Sequence, residues 1–201
     1  MKLRLKYNAP FTLTFSLVCA IVFLINDLTG GQNGVLTPII SVQSPFNPGS
    51  ISDYLGIVLH SIGHADWPHL LGNMSFILLL GPTLEEKYGS RDLALMCVIT
   101  AAATGLMHML FFSSGLWGAS GIVFMFIILI SFANVKAGEI PITFLLIVAI
   151  FIGKEVMHSF EANQVSEFAH IVGGVFGALF GFVGPARKKT KEMGEAQEPL
   201  V

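Results

Sequence analysis

Six long apolar stretches are the feature of this sequence that most restricts its fold. They run approximately over residues 10–26, 68–84, 93–112, 120–134, 141–156 and 168–183. Of the 201 residues, 53% are hydrophobic and 12% are charged, whereas about a quarter of the residues in soluble proteins are charged. None of the stretches alternates like a strand, and segments that cross a bilayer satisfy their own backbone polar groups as helices. We therefore expect an all-α polytopic membrane protein with six transmembrane helices.

The basic residues predict how these spans are oriented. With six spans both termini lie on one side, and that side carries every Lys and Arg except Lys154. Because basic residues stay on the cytoplasmic side, both termini are expected in the cytoplasm, with the protein in the plasma (inner) membrane. Residues 1–186 would form the membrane domain and residues 187–201 a polar cytoplasmic tail. Residues 27–52, punctuated by proline, are expected to form external surface structure.

The fourth stretch is too short for an ordinary span. Residues 120–134 would rise about 22 Å as a helix, against a hydrocarbon core of about 30 Å. A short fourth span is possible if its first residue starts below the outer surface and the preceding loop dips in to meet it. Non-helical backbone at that depth is tolerated only beside protein or a water-filled cavity. The sequence therefore predicts a cavity in the outer half of the membrane.

Four polar residues at the outer ends of three predicted spans form the candidate active site. Ser120 begins the fourth span, and His170 lies in the first turn of the sixth. His69 and Asn73 lie in the first turns of the second span and, four positions apart, share one helix face. All three spans run inward, so the four side chains are expected at similar depth. Ionisable residues inside a membrane are costly and indicate functional sites.

This set supplies the groups that a serine hydrolase requires. A serine hydroxyl is a weak nucleophile until a base removes its proton, and imidazole is the usual base. Ser120 is therefore the candidate nucleophile and His170 the candidate base. The Asn73 amide, a His69 N–H and the Ser120 backbone N–H would stabilise the oxyanion. Because no acidic residue is well placed to orient His170, we predict a Ser-His dyad rather than a triad.

Two groups of glycines accompany the predicted dyad. They are Gly118 and Gly121 on either side of Ser120, and Gly173, Gly177 and Gly181 after His170. Glycines four positions apart form a flat stripe on which a neighbouring helix packs closely. If that neighbour is the fourth span, the stripe brings His170 within hydrogen-bonding reach of Ser120. Generic helix packing also explains these glycines, and the two interpretations are compatible.

Taken in order, these motifs resemble the rhomboid family of intramembrane serine proteases. The resemblance extends over about residues 60–181 and rests on His69-x-x-x-Asn73, Glu85 with Gly89, Gly118-x-Ser120-Gly121, and Ala169-His170 with its glycines. It implies a six-transmembrane-helix rhomboid-like bundle with Ser120 as nucleophile and His170 as base. It also implies an oxyanion hole lined by His69 and Asn73, and structural roles for His60 and His64.

The resemblance further implies what the protein acts on. Rhomboid substrates are other membrane proteins, cut in or near a transmembrane segment. The expected partners are therefore single-span membrane protein substrates and the lipid bilayer, and no metal or cofactor is expected. Nucleic acid is not expected as a partner either, because the net charge is −2 and the eleven Lys and Arg form no stripe beside aromatic residues. The sequence departs from many bacterial members at Phe124, where they carry a tyrosine that packs on the catalytic histidine. Phe124 keeps the ring for stacking and lacks the hydroxyl.

Other functions remain open at this stage. Some bacterial relatives trim C-terminal sorting anchors from secreted proteins. A metalloprotease is disfavoured because His60 and His64 lack the glutamate of His-Glu-x-x-His. A small membrane transporter is disfavoured because no inverted repeat is visible and no acidic residue sits in the middle of a span. A non-proteolytic client-binding protein would need neither Ser120 nor His170.

Overall fold

The computed structural model describes residues 6–132 and 165–183 and, between these ranges, residues 142–143, 145–146 and 149–150. Its regular elements are helical, with no strand among the described residues beyond one isolated antiparallel bridge. The helices are α1 Pro10–Leu28, α2 Thr37–Ile40, α3 Ile51–Leu59, α4 Trp67–Tyr88, α5 Ser90–Phe111, α6 Ser120–Ile130 and α7 Val165–Val183, with 3₁₀ turns at Gly31–Asn33 and His60–Ile62. This agrees with the predicted all-α class.

The ends of the long helices follow from local sequence. Helix α4 begins after Asp66, whose carboxylate accepts a hydrogen bond from the His69 backbone N–H at 2.8 Å. Such an N-cap satisfies a backbone donor that has no partner within the helix. The same helix ends at Gly89, which has a φ of +83° and turns the chain directly into α5. The Asp66 cap fixes the start of α4, and therefore the position of His69 in its first turn, and Gly89 fixes its end.

Helix α6 lies at the centre of the bundle. Met125, Phe126 and Leu129 in α6 are at most 1% exposed, and α4, α5 and α7 all pack against this helix. Its most extensive partner is α7. A helix that is hydrophobic on all sides is stable only when it is buried, so the sequence of α6 suits its central place.

The outer surface of the bundle is also apolar. Leu17 and Ile21 of α1 and Val98 and Leu106 of α5 are each at least 45% exposed. By length and composition, α1 and α5 are long and apolar enough to cross a membrane. Large apolar surfaces of this kind mark an interaction with another apolar phase.

The helices differ from the predicted spans mainly at their ends. Helix α4 continues through the charged residues after Leu84 to Tyr88, and α6 ends at Ile130. The predicted fifth span, residues 141–156, lies mostly outside the described residues, as does the predicted tail from residue 187. The six-span count and the short fourth span therefore stay predictions.

The segment between α1 and α4 is more than a surface loop. Ile40, Ser41 and Val42 are at most 2% exposed, and Val42 forms the isolated bridge with Leu116. Within the same segment, the buried Asp53 carboxylate accepts hydrogen bonds from the backbone N–H of Asn47 and from the Ser50 hydroxyl. The segment is thus folded against the helical bundle and contacts the loop that precedes α6.

Candidate active site

A cavity of about 500 Å³ lies where α4, α6 and α7 meet, and it collects the predicted site residues. It is lined by His69, Asn73, Ser120, Phe124 and His170, together with Ala65, Pro68, Gly72, Phe76, Gly115, Leu116, Trp117 and Val123. None of these described lining residues is Asp, Glu, Lys or Arg. The side chain of Glu167, the nearest carboxylate to His170 in sequence, lies outside the described residues. The polar side chains among the described lining residues are therefore a hydroxyl, two imidazoles, an amide and the indole of Trp117.

Ser120 is the first residue of α6 and follows a sharp turn at Gly118. Gly118 has a φ of +105°, which side-chain-bearing residues rarely adopt. A Cβ at this position would overlap the imidazole of His69 and lie 3.3 Å from the Asn73 amide nitrogen. Glycine thus allows both side chains of α4 to approach the backbone immediately before Ser120.

Hydrogen bonds from three directions hold the loop before Ser120. The Gly118 N–H donates to the His60 carbonyl at 2.9 Å, and Leu116 exchanges backbone hydrogen bonds with Val42 at 3.0 and 3.3 Å. The His108 Nε2 lies 2.8 Å from the Ser114 carbonyl. Since this loop leads directly into α6, these bonds fix the entry of the chain into the cavity.

The Asn73 side chain presents an unused donor to the cavity. Asn73 is 7% exposed, and its Nδ2 is buried with no hydrogen-bond acceptor among the described residues. A buried donor without a partner costs about 1–3 kcal/mol, so such a group calls for a functional explanation. An oxyanion that forms in the cavity during a reaction would supply the missing acceptor.

His170 is held by an aromatic stack. Its imidazole lies parallel to the ring of Phe124, with centroids 4.0 Å apart and planes 2° apart. Phe124 follows Ser120 by one helical turn, so the stack places the imidazole beside the α6 face that begins with Ser120. The ring of His69, which lines the cavity, meets the ring of the buried His64 edge to face, with centroids 5.2 Å apart.

The glycines of α7 face α6. A Cβ at Gly173 would run into the Gly121 carbonyl, and one at Gly177 would lie 2.6 Å from the Met125 carbonyl. A Cβ at Gly181 would overlap the ring of Phe132. The two helix backbones therefore come into contact at Gly173 and Gly177, and this contact holds the His170 end of α7 beside the Ser120 end of α6.

The apolar half of the cavity wall has no signature in the sequence. Phe76, Leu116, Trp117 and Val123 line it, but apolar residues in an apolar chain carry no distinguishing signal. The sequence also gives no indication of the bridge between Leu116 and Val42, because this bridge joins distant parts of the chain and no local pattern encodes it.

Comparison with known proteins decides the family. A model of the Rhomboid domain matches residues 52–187, which is more than half of the chain. The chain belongs to the rhomboid family. The matched range includes the whole cavity described above, from Ala65 to His170.

Individual relatives of this rhomboid are bacterial proteases. It is 22% identical over 193 residues to the rhomboid protease GlpG of Haemophilus influenzae, an alignment that covers 94% of this chain and 98% of the relative. It is 32% identical over 123 residues to the rhomboid protease GlpG of Klebsiella pneumoniae and 31% identical over 117 residues to that of an Enterobacter species. These two alignments cover 60% and 57% of this chain and 42% and 40% of the relatives. The chain thus spans about two fifths of those longer proteins. Family and relatives together support an intramembrane serine protease.

Proposed function

We propose that this rhomboid is an intramembrane serine endopeptidase that cleaves transmembrane segments of membrane proteins with a Ser120–His170 dyad. The observation that carries the proposal is the shared cavity, in which Ser120, His170, His69 and Asn73 meet although they come from three separate helices. A cavity that combines a nucleophile, a base and convergent polar donors is the usual form of an active site.

In the proposed reaction, the Ser120 Oγ attacks the carbonyl carbon of the substrate while His170 accepts the hydroxyl proton. The tetrahedral intermediate collapses when His170 returns this proton to the leaving amine, and an acyl-enzyme remains on Ser120. Water then attacks the ester with His170 again as the base. The bond between the acyl carbon and the Ser120 Oγ then breaks, His170 returns its proton to the Oγ, and the acyl group leaves as a carboxylic acid, which ionises to a carboxylate.

The negative oxygen of each intermediate needs fixed donors. The free Asn73 Nδ2, the His69 imidazole and the Ser120 backbone N–H are assigned this role. The backbone N–H groups of the first turn of a helix have no intrahelical acceptor, so the start of α6 offers such donors. The dipole of α6 also favours negative charge at the N-terminal end of the helix. One preorganised donor is worth roughly 3–4 kcal/mol in a water-excluded site.

The proposal includes an arrangement in the membrane. The chain has six spans with a short fourth span formed by α6, both termini are cytoplasmic, and the protein resides in the inner membrane. Residues 1–186 form the membrane domain and residues 187–201 the tail, and the substrates are single-span membrane proteins. The apolar exteriors of α1 and α5 and the excess of Lys and Arg on one side support this arrangement.

The test uses purified protein in liposomes with a transmembrane substrate and a labelled fluorophosphonate probe. Ser120→Ala is expected to abolish both cleavage and labelling, because the nucleophile is removed. His170→Ala is expected to reduce both by at least about 10³-fold, since nucleophile and base act as a unit. Ser113→Ala, a change of an exposed serine in the preceding loop, serves as the matched control and should retain activity. Cleavage or labelling by the Ser120→Ala protein would refute the assignment of Ser120 as the nucleophile. A parent protein that neither cleaves the substrate nor reacts with the probe would favour a non-hydrolytic role.

A further inference from the structure

Lys87 makes a contact far from the cavity that links two of its helices. It lies in the last turn of α4, and its ammonium group donates a hydrogen bond to the backbone carbonyl of Phe132, two residues after the end of α6. The side chain is half-buried. Carbonyls at a helix C-terminus have no intrahelical donor, and a cation is favourable there. Lys87 therefore ties the turn that directly follows α6 to the end of α4.

Phe132 is also held from the other side. Its ring lies against Gly181 of α7 and meets Phe182 edge to face at 4.8 Å between centroids. Phe132 is 5% exposed. The inner end of α6 is thus fixed between α4, through a hydrogen bond, and α7, through aromatic packing.

The two ends of the α4–α6 pair carry different contacts. At the cavity end, His69 and Asn73 of α4 lie against Gly118, immediately before α6. At the other end is the Lys87–Phe132 contact. Asn73 and Lys87 are about 21 Å apart along α4, and Ser120 and Ile130, the two ends of α6, are about 15 Å apart, at 1.5 Å per residue. The helices are therefore joined at two points, and a shift of α6 along its axis breaks both.

We propose that Lys87 is a positioning residue that sets the axial position of α6 against α4, and with it the position of Ser120 relative to the Asn73 amide. The inference rests on the proposed function, since it concerns how the nucleophile meets its oxyanion donor. Lys87 touches no cavity residue and acts only through the helix that carries Ser120. A displacement of about 1 Å at a reacting centre is enough to lower a rate by about 10²-fold.

The experiment is a double-mutant cycle between Lys87→Met and Asn73→Ala in reconstituted protein. Lys87→Met keeps the stem and removes the donor, and we expect it to lower kcat about tenfold with KM unchanged, a part of the loss that misplacement by 1 Å causes. In the Asn73→Ala background the same change should cost about twofold or less, because the donor that it misaligns is already gone. Lys87→Arg retains a cationic donor and should restore kcat to within about twofold of the parent.

Arg91→Met is the matched control, because Arg91 is an exposed basic residue at the start of α5 near the same end of the bundle. It should leave kcat unchanged. If Lys87→Met does not fold, Lys87→Leu, which also lacks a donor, replaces it with the same expectations. Provided that Ser120→Ala is inactive, two results would overturn the inference: an unchanged kcat for Lys87→Met, or equal losses of kcat from Lys87→Met in the parent and in the Asn73→Ala protein. Ser120→Ala cleaving its substrate would instead overturn the proposed function itself.

Discussion

At the residue scale, the contact that most directly governs the proposed base is the stack of Phe124 on His170. The rings are parallel and 4.0 Å apart, so the imidazole has one face covered and its rotation restricted. A phenylalanine achieves this through its ring alone, which explains how the site retains its form without the tyrosine hydroxyl of many family members.

Truncation of this ring should therefore affect turnover. An aromatic pair contributes about 0.5–1.5 kcal/mol beyond burial, which corresponds to roughly a 2- to 12-fold change in the population of the ordered imidazole. We expect Phe124→Ala to lower kcat by about this factor, and Phe124→Tyr, which keeps the stacking face, to be nearly neutral. Initial rates on one transmembrane substrate measure both. A Phe124→Ala enzyme as active as the parent would show that the stack does not position His170.

At the scale of helices, the glycines of α7 offer a sharp comparison. A methyl group at Gly173 would meet the Gly121 carbonyl, whereas one at Gly174 has Ile128 Cγ1 as its nearest described neighbour at 3.8 Å, an ordinary contact. Gly173 and Gly174 are adjacent in α7, but of the two only Gly173 lies against the backbone of α6.

Gly173→Ala should therefore push α7 away from α6. Overpacking of this kind costs about 1–3 kcal/mol, and here it also moves His170 away from Ser120, so we expect both a lower unfolding temperature and a loss of activity. Gly174→Ala should change neither appreciably. Thermal unfolding in detergent and cleavage assays distinguish the two variants, and equal behaviour of both would contradict the described packing of α6 on α7.

A second prediction at this scale concerns how α1 is attached to the bundle. The Glu85 carboxylate accepts hydrogen bonds from the backbone N–H groups of Phe11 and Thr12 at 2.8 and 2.9 Å. It also accepts from the hydroxyls of Thr12 and Ser90 at 2.7 and 2.6 Å. One carboxylate of α4 thus caps the first turn of α1 and binds the start of α5.

Glu85→Gln should lower stability more than activity. An amide has one acceptor oxygen in place of two, so buried donors lose their partner at a cost of about 1–3 kcal/mol. The cavity contains no atom of this cluster, and kcat should persist below the unfolding temperature. Glu86→Gln, at an exposed neighbouring position, is the control. Equal destabilisation by both variants would mean that charge, and not the hydrogen bonds, matters at this end of α4.

At the scale of the whole molecule, the sequence predicts well what has a local cause. The apolar stretches of the sequence predict the all-α class, and the glycines around Ser120 predict that a helix starts there. The predicted second span ends at Leu84 whereas α4 continues to Tyr88, because Glu85 and Lys87 have partners in α1 and directly after α6 that no local pattern displays. The fold of the segment before α4 depends on contacts such as Val42 with Leu116, which no local pattern contains.

The distribution of Lys and Arg along the whole chain predicts its orientation in the membrane. Cys19 and Cys97 are buried, at 0% and 3% exposed, so the parent chain should react little with a membrane-impermeant maleimide. We expect Gln32→Cys, exposed on the predicted external side, to react in intact bacterial cells. Glu86→Cys, exposed at the predicted cytoplasmic end of α4, should react only after the cells are permeabilised. The opposite pattern would place the cavity on the cytoplasmic side and invert the face from which water reaches Ser120.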